Sequence, residues 1–356
     1  DKIHDVVYMA SQGCQGLLSL VQAMIQTGLK PKLWVIAKKG QVVTGKEIDL
    51  DLHQSAVLGF AKVIQLEHPE FQCTTVDHEG LTGFIQHTDE DTIALREGKW
   101  YVPRLSSYVP SSTRELSIDP NKCYLITGGL GGIGLKCAEW LVEKGAKNII
   151  LTSRSEPKTQ LDRFVEKGVN ISVIRGDISK KSDVEKLFNV PIHGIIHAAG
   201  IFDVDLISKQ NWDRFSKVLA PKVTGTINLF EVAESKNCQL DFFVVFSSVS
   251  GMFGSLSTSS YAAGNYFLDQ FARAKHLTSI AWGPWSKVGI VASEEDREKR
   301  LGYMPIDPST GLNAIEQAIK DGGSHYIFSP MNWKKYFANL PYISKIYDHI
   351  EQQGVN

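Results

Sequence analysis

Residues Thr127–Gly134 read TGGLGGIG, set between the apolar run YLIT and the helix-like stretch IGLKCAEWLVEKG. A glycine-rich turn at such a place lets the backbone approach a pyrophosphate closely. The helix that follows offers unpaired N–H groups and a partial positive charge at its N-terminus. Gly128, Gly132 and Gly134 carry the TGxxxGxG spacing, and Thr127, Leu130, Gly131 and Ile133 belong to the same loop. Glycines also make ordinary tight turns; the strand before and the helix after are what favour a dinucleotide cradle.

The next apolar run, NIILT, ends in Ser153, Arg154 and Ser155. Folds that take NAD place Asp or Glu here for the ribose 2′-hydroxyl. This chain offers Arg154, whose guanidinium suits a 2′-phosphate, so NADPH is the expected cofactor; a solvated surface arginine is the alternative. Asp177 and Ile178 follow the third run in RGDIS. A carboxylate there can accept from the adenine amino group or cap the nearby helix. Ala198, Ala199 and Gly200 follow the fourth run in HAAG. Their small size lets a cofactor lie against the strand ends, or lets helix and strand pack closely.

Around this loop the chain divides into two blocks of alternating strand-like and helix-like segments, the signature of mainly parallel sheets covered by helices. The first, residues 1–116, has strand candidates Val6–Ala10, Leu33–Ala37, Cys73–Val76 and Thr92–Arg96, with helix-like Leu17–Thr27 and His53–Glu67. It lacks a phosphate-binding signature. Ser106–Asn121, rich in Ser and Pro and without an apolar period, reads as a linker. The second block, residues 117–356, has seven strand candidates: Tyr124–Thr127, Asn148–Thr152, Ile171–Arg175, His193–Ala198, Phe242–Ser247, Ser279–Trp282 and His325–Phe328. Runs such as FFVVF suit strands buried on both faces. The fold class is therefore α/β, with a doubly wound parallel Rossmann-type sheet in the second block, an architecture the first block could share.

Composition narrows the function classes. A length of 356 residues suits two domains, and the formal net charge of −1 disfavours a broad nucleic-acid surface. No apolar run approaches the ~18 residues of a membrane span. Neither nucleic acid nor membrane is an expected partner. The five cysteines form no CxxC pair, so no zinc site or disulfide framework is indicated and a reducing, cytoplasmic location is the default; Cys123 and Cys137 read as buried thiols. Asp1–Asp5 has neither a signal-peptide layout nor a starting Met and reads as the beginning of an excised segment.

Ser248 closes FFVVFSS, and Tyr261 follows thirteen residues later in the helix-like SSYAAGNYFLDQFA. Asn265, four residues on, shares its helix face. This Ser…Tyr pattern resembles the short-chain dehydrogenase/reductase superfamily. The resemblance implies that the Tyr261 hydroxyl protonates a developing oxyanion while Ser248 orients the carbonyl. A free phenol, with pKa near ~10, needs a cation nearby to act around neutral pH. Most members carry that cation in YxxxK, whereas this chain has YxxxN; Lys222, in VLAPKVTGTINL, is the candidate replacement. The exchange of Lys and Asn resembles the ketoreductase domains of modular polyketide synthases, as do Gln54–Glu70, Ala94–Leu105 and Ile280–Val291, so the likeness covers nearly the whole chain. It implies that the N-terminal block is a truncated Rossmann-like subdomain that buttresses the catalytic one, that Lys222 lowers the Tyr261 pKa and holds the nicotinamide ribose, and that Asn265 orders a water or main-chain group.

By the same resemblance Gly283 and Pro284 turn beside the nicotinamide, Ala292–Met304 forms a mobile lid, and Phe202, Phe253 and Trp285 face substrate; for Trp285 core packing is the alternative. The family's markers of product hand are incomplete, since Phe202, Asp203 and Val204 stand for an LDD-like triplet and Phe253 for a Trp eight residues before the tyrosine. Asp183–Ile192 looks shorter than the helix expected there. The implied activity is reduction of a ketoacyl thioester, β-keto by preference, carried on the phosphopantetheine arm of a carrier protein, with further synthase domains in the same polypeptide. Reduction of an α-ketoacyl group in a nonribosomal assembly line and a non-reducing scaffold module are the alternatives.

Overall fold

The computed structural model describes residues 3–47, 49–80, 89–155, 161–289, 299 and 301–352. The first sheet runs β1 (Asp5–Met9), β2 (Lys32–Lys38), β3 (Thr74–His78), β4 (Thr92–Arg96) and β5 (Lys99–Tyr101) in that spatial order. Neighbours are parallel except β4 and β5, which are antiparallel across a tight turn. The short β5 goes beyond the strands expected from sequence, because three residues carry no measurable period. Helices α1 (Gly13–Thr27) and α2 (His53–Glu67) accompany this sheet. Every residue of α2 from Gln54 to Leu66 is buried. A helix covered on all sides must pack against more than its own sheet.

The second sheet has β6 (Cys123–Thr127), β7 (Asn148–Ser153), β8 (Asn170–Arg175), β9 (Gly194–His197), β10 (Phe242–Ser248), β11 (Thr278–Trp282) and β12 (His325–Phe328). Their order is β12-β11-β10-β9-β6-β7-β8, with every pairing parallel. The connecting helices are α3 (Gly132–Glu143), α4 (Asp162–Val165), α5 (Lys181–Leu187), α6 (Trp212–Lys222), α7 (Thr224–Ser235), α8 (Val249–Phe253), α9 (Ser259–Lys275) and α10 (Pro308–Asp321). Helix α5 has seven residues, so the short connection expected around Asp183–Ile192 is a reduced helix. The linker between the blocks forms no helix or strand over 102–119, yet it is pinned: the Tyr108 hydroxyl and the Ser112 N–H donate to the Asp321 carboxylate at the end of α10, at 2.6 and 2.8 Å.

The two halves share a core. Leu17, Val21, Val57 and Phe60 of α1 and α2 pack in one apolar cluster with Phe215 of α6 and with Ala262, Ala263, Tyr266 and Phe267 of α9. Helices α2 and α9 cross closely at Gly59, where a Cβ would lie 2.5 Å from the Cβ of Tyr266 and 2.8 Å from the Ala262 carbonyl. Polar bonds tie α9 to the loop after β2 as well. The Tyr266 hydroxyl donates to the Gln41 side chain, and the Val42 N–H donates to Gln270 Oε1 at 2.9 Å. Among the described residues no helix is long and apolar enough to cross a membrane, and no group of three or more His, Cys, Asp or Glu is placed to hold a metal ion. All five cysteines are free; Cys137 is buried, whereas Cys123 is only half-buried.

Candidate active site

The chain lays down β6, β7 and β8 in one direction and β9 to β12 in the other, so a crevice opens beyond the carboxyl ends of β6 and β9. It encloses about 750 Å³. The glycine turn forms one wall. Gly128 has φ +66°, and a Cβ there would sit 2.9 Å from the backbone of Ala198 and Ala199. A side chain at Gly134 would collide with the Gly128 carbonyl. Both glycines are thus required by the approach of turn, helix and neighbouring strand end. Gly131, Gly132 and Ile133 face the crevice with Ala198, Ala199 and Gly200. Leu130 packs into the core behind the turn, and Thr127 is fully buried. This cradle at the N-terminus of α3, with its exposed backbone and no side chain in the way, fits a pyrophosphate.

Ser153 and the exposed Arg154 stand at the end of β7 on the crevice rim. The neighbouring Arg175, ending β8, donates through Nε to the Arg154 carbonyl at 3.0 Å, which fixes the backbone under that guanidinium. Asp177 is partly engaged: its Oδ1 accepts from the Ser179 N–H and hydroxyl at 3.0 and 2.7 Å, the turn-capping use, while the residue still lines the crevice. The Ile178 side chain packs where Gly225 leaves room, and its carbonyl accepts from Asn228 at 2.9 Å.

Lys222 ends α6. It is 3% exposed, and its ammonium donates to the Phe246 carbonyl at 3.2 Å and lies 5.2 Å from the centre of the Tyr261 ring. Burial drives its pKa down to about 8, against the pull of Asp269. The stem runs between two glycines: a Cβ on Gly264 would be 3.1 Å from Lys222 Cδ, and one on Gly200 would be 3.5 Å from Cε. His197, the first residue of HAAG, secures the end of α6. Its Nδ1 accepts from the Thr127 hydroxyl at 2.6 Å and its Nε2–H donates to the Pro221 carbonyl at 3.2 Å, a tautomer assigned from those partners. Burial, reinforced by Lys222, pushes its pKa down to about 3, so it is neutral.

Ser248 ends β10 and caps α8, accepting from the Ser250 N–H at 3.3 Å. The Tyr261 phenol faces the Ser248 hydroxyl and the Asn265 amide. Its pKa is raised by burial, with Asn265 and Ser248 pulling the other way. The Lys222 ammonium sits by the aromatic ring, and burial outweighs the lowering influences, so the phenol holds its proton at neutral pH. Asn265 is fully buried, donates to the Tyr261 carbonyl at 2.8 Å, and leaves Oδ1 without a hydrogen-bond partner.

Phe202 meets the Tyr261 ring edge-on, centroids 5.1 Å apart. Gly283 and Pro284 line the crevice, as does Trp285, whose ring is nevertheless almost wholly buried against Trp282 and over Gly311. Phe253 departs from expectation. Its ring packs against Trp333, Tyr336 and Tyr347, and it borders a separate cavity of about 1070 Å³ between the halves rather than the crevice. The aromatic partners all come from the C-terminal 25 residues, beyond the reach of local pattern. Most of the expected lid, Ala292–Met304, lies outside the described residues; from it Tyr303 lines the crevice.

A doubly wound sheet, a glycine turn at its switch point, and a Ser–Tyr pair with a buried lysine define a short-chain dehydrogenase/reductase. Residues 122–287 match the family described as KR domain, and residues 2–105 match the polyketide synthase extender module SpnB, Rossmann fold domain. The chain is 32% identical to the 6-methylsalicylic acid synthase of Arthrobotrys oligospora over 90% of its own length and 20% of that protein. It is 30% identical to a phenolphthiocerol/phthiocerol polyketide synthase of Mycobacterium tuberculosis, over 81% of the chain and 17% of the relative. The chain thus spans about a fifth of these relatives. The solved structure of an A1-type ketoreductase superposes with a TM-score of 0.85 at 25% identity, covering 94% of this chain and 77% of that one. The chain belongs to the ketoreductase domains of polyketide synthases.

Proposed function

We propose that this chain reduces the ketone of a carrier-bound ketoacyl thioester, preferentially β-keto, to the alcohol at the expense of NADPH. One observation carries the reading: Ser248, Tyr261 and Lys222, from three separate elements, converge at the crevice beside the glycine turn. Gly128, Gly131, Gly132, Ile133 and Gly134 would hold the pyrophosphate, Arg154 with Ser153 the 2′-phosphate, Asp177 and Ile178 the adenine, and Ala198, Ala199, Gly200, Gly283 and Pro284 the nicotinamide end. When bound, the dinucleotide supplies hydride to the carbonyl carbon.

The chain's own groups handle the oxygen. Ser248 donates a hydrogen bond that orients the carbonyl. Tyr261 gives its proton to the oxygen as negative charge develops, which leaves a phenolate. The Lys222 ammonium, held out of bulk water, stabilises that phenolate electrostatically. A phenol that stays protonated until the moment of transfer suits a general acid. Asn265, with an uncommitted buried oxygen, provides a seat for a water that returns a proton to the tyrosine.

In this reading residues 1–116 are the structural half and 117–356 the catalytic half. A phosphopantetheine-bearing carrier protein and neighbouring domains of the same polypeptide are the partners. The test is NADPH oxidation by the purified chain given a short β-ketoacyl thioester. Turnover in the wild type with at least ~100-fold loss in Tyr261→Phe, at unchanged NADPH binding, is expected. Equal turnover in the two proteins would overturn the assignment.

A further inference from the structure

Two loops flank Tyr261. One, residues 201–211, follows β9 and carries Phe202 and Asp203. The other, residues 254–258, joins α8 to α9 and places Ser255 and Thr258 on the crevice. Both are gripped by a single carboxylate from the structural half. Glu67, the last residue of α2, accepts the Ile207 N–H through Oε2 and the Ser257 N–H through Oε1, each at 2.8 Å. The loops also touch directly, Asp205 N–H to the Ser257 carbonyl at 2.9 Å.

Other bonds show how firmly the first loop is anchored. Gln22 of α1 donates through one nitrogen to the carbonyls of Ile207 and Gln210, at 2.9 and 2.7 Å. Both backbone groups of Ile207 are therefore satisfied by side chains of the structural half, and its own side chain is fully buried in the shared core. On the second loop Ser257 has φ +65°, the left-handed region that a non-glycine residue seldom adopts unless its surroundings impose it. Glu67 supplies part of that constraint.

A carboxylate at the C-terminus of a helix faces the negative end of the helix dipole, and this one is largely desolvated, which raises its pKa. Neither circumstance favours Glu at position 67 for the sake of α2. Both are offset chiefly by the two N–H donors from the catalytic half, with a smaller contribution from the adjacent His68. We propose that Glu67 is a positioning residue that joins the two loops into one wall of the acyl-substrate site, so that the structural half sets how the ketone is presented to Tyr261. The inference rests on the reductase reading above.

The decisive comparison is wild type against Glu67→Gln, whose amide nitrogen would confront one of the two N–H donors. Four measurements are made on each protein: amide hydrogen exchange at 207 and 257, NADPH affinity, KM and kcat for the ketoacyl thioester, and the ratio of the two alcohol epimers. Expected are at least tenfold faster exchange at one or both amides, a KM five- to thirtyfold higher or an epimer ratio moved towards unity, and NADPH affinity within twofold. Glu67→Asp, which keeps the charge but cannot reach both loops, gives the same split at smaller size if the glutamine variant fails to fold. Unaltered exchange at both amides, or unaltered KM and epimer ratio in the folded variants, overturns the proposal. Absence of turnover in wild type would instead count against the reductase reading, and the exchange measurement would still judge the clamp.

Discussion

Gly264 lies three residues beyond Tyr261 on the same helix, and the stem of Lys222 passes directly across it, with 3.1 Å between Lys222 Cδ and the position a Cβ would take. The missing methyl group is what lets the ammonium come up to the Tyr261 ring from another element. Glycine within a helix is unfavourable by roughly 0.5–1 kcal/mol relative to alanine, so its presence in the middle of α9 is explained by that passage. Gly264→Ala is therefore expected to leave the protein folded, with its melting temperature within a few degrees of wild type, while turnover falls about tenfold. The thermal and kinetic measurements on one preparation decide it.

Burying Lys222 sets function against stability. Its native pKa of about 8 lies below the ordinary lysine value near ~10.4. Between those values the unfolded chain binds more protons than the native one, so stability rises with pH across that window. At pH 7 the charged lysine destabilises the fold by on the order of 3 kcal/mol. Lys222→Met is expected to abolish turnover, to raise the melting temperature at pH 7, and to lose that advantage as pH climbs past about 8 towards ~10. Melting curves across this range provide the check. In the wild type, turnover should decline above about pH 8 as the ammonium is lost.

Arg154 offers a direct handle on cofactor choice. A hydrogen bond to a charged group contributes about 1.5–3 kcal/mol, or roughly ten- to hundredfold in affinity. Arg154→Ala should weaken NADPH by that factor and leave NADH little changed, as read by fluorescence titration with each nucleotide. Equal weakening of both would place the 2′-phosphate elsewhere.

Gly59 tests the join between the halves. A methyl group there meets backbone and Cβ atoms of α9 rather than flexible side-chain ends. Overpacking of this kind typically destabilises by about 1–3 kcal/mol. Gly59→Ala should lower the melting temperature by roughly 1–4 °C, and turnover should fall as well, because α9 carries Tyr261. Differential scanning calorimetry beside the NADPH assay measures both.

The strands were legible because continuous apolar runs such as LWVIA and FFVVF announce burial on both faces. The glycine turn was legible because its neighbours on either side are a strand and a helix. Lys222 came into view by resemblance, since nothing in VLAPKVTG itself distinguishes it from a solvated lysine. What stayed hidden depends on contacts between remote parts of the chain. Glu67 and Ile207 are 140 residues apart, and no periodicity links them. The one local sign was a glutamate at the end of a helix, where the dipole disfavours it. Phe253 was misplaced for the same reason, because its partners Trp333, Tyr336 and Tyr347 lie far downstream.

The interlocking of α2 with α9 bears on how such enzymes exchange parts. A recombination event that broke the gene between Arg114 and Asn121 would cut at a tempting stretch that is almost free of helix and strand. It would also pair a foreign Gly59 ridge with a foreign Tyr266 and Gln270, and a foreign Glu67 with loops of another shape. Chimeras spliced outside residues 5–350 keep these mated surfaces together, and they are the ones to build when a reductase is transplanted whole.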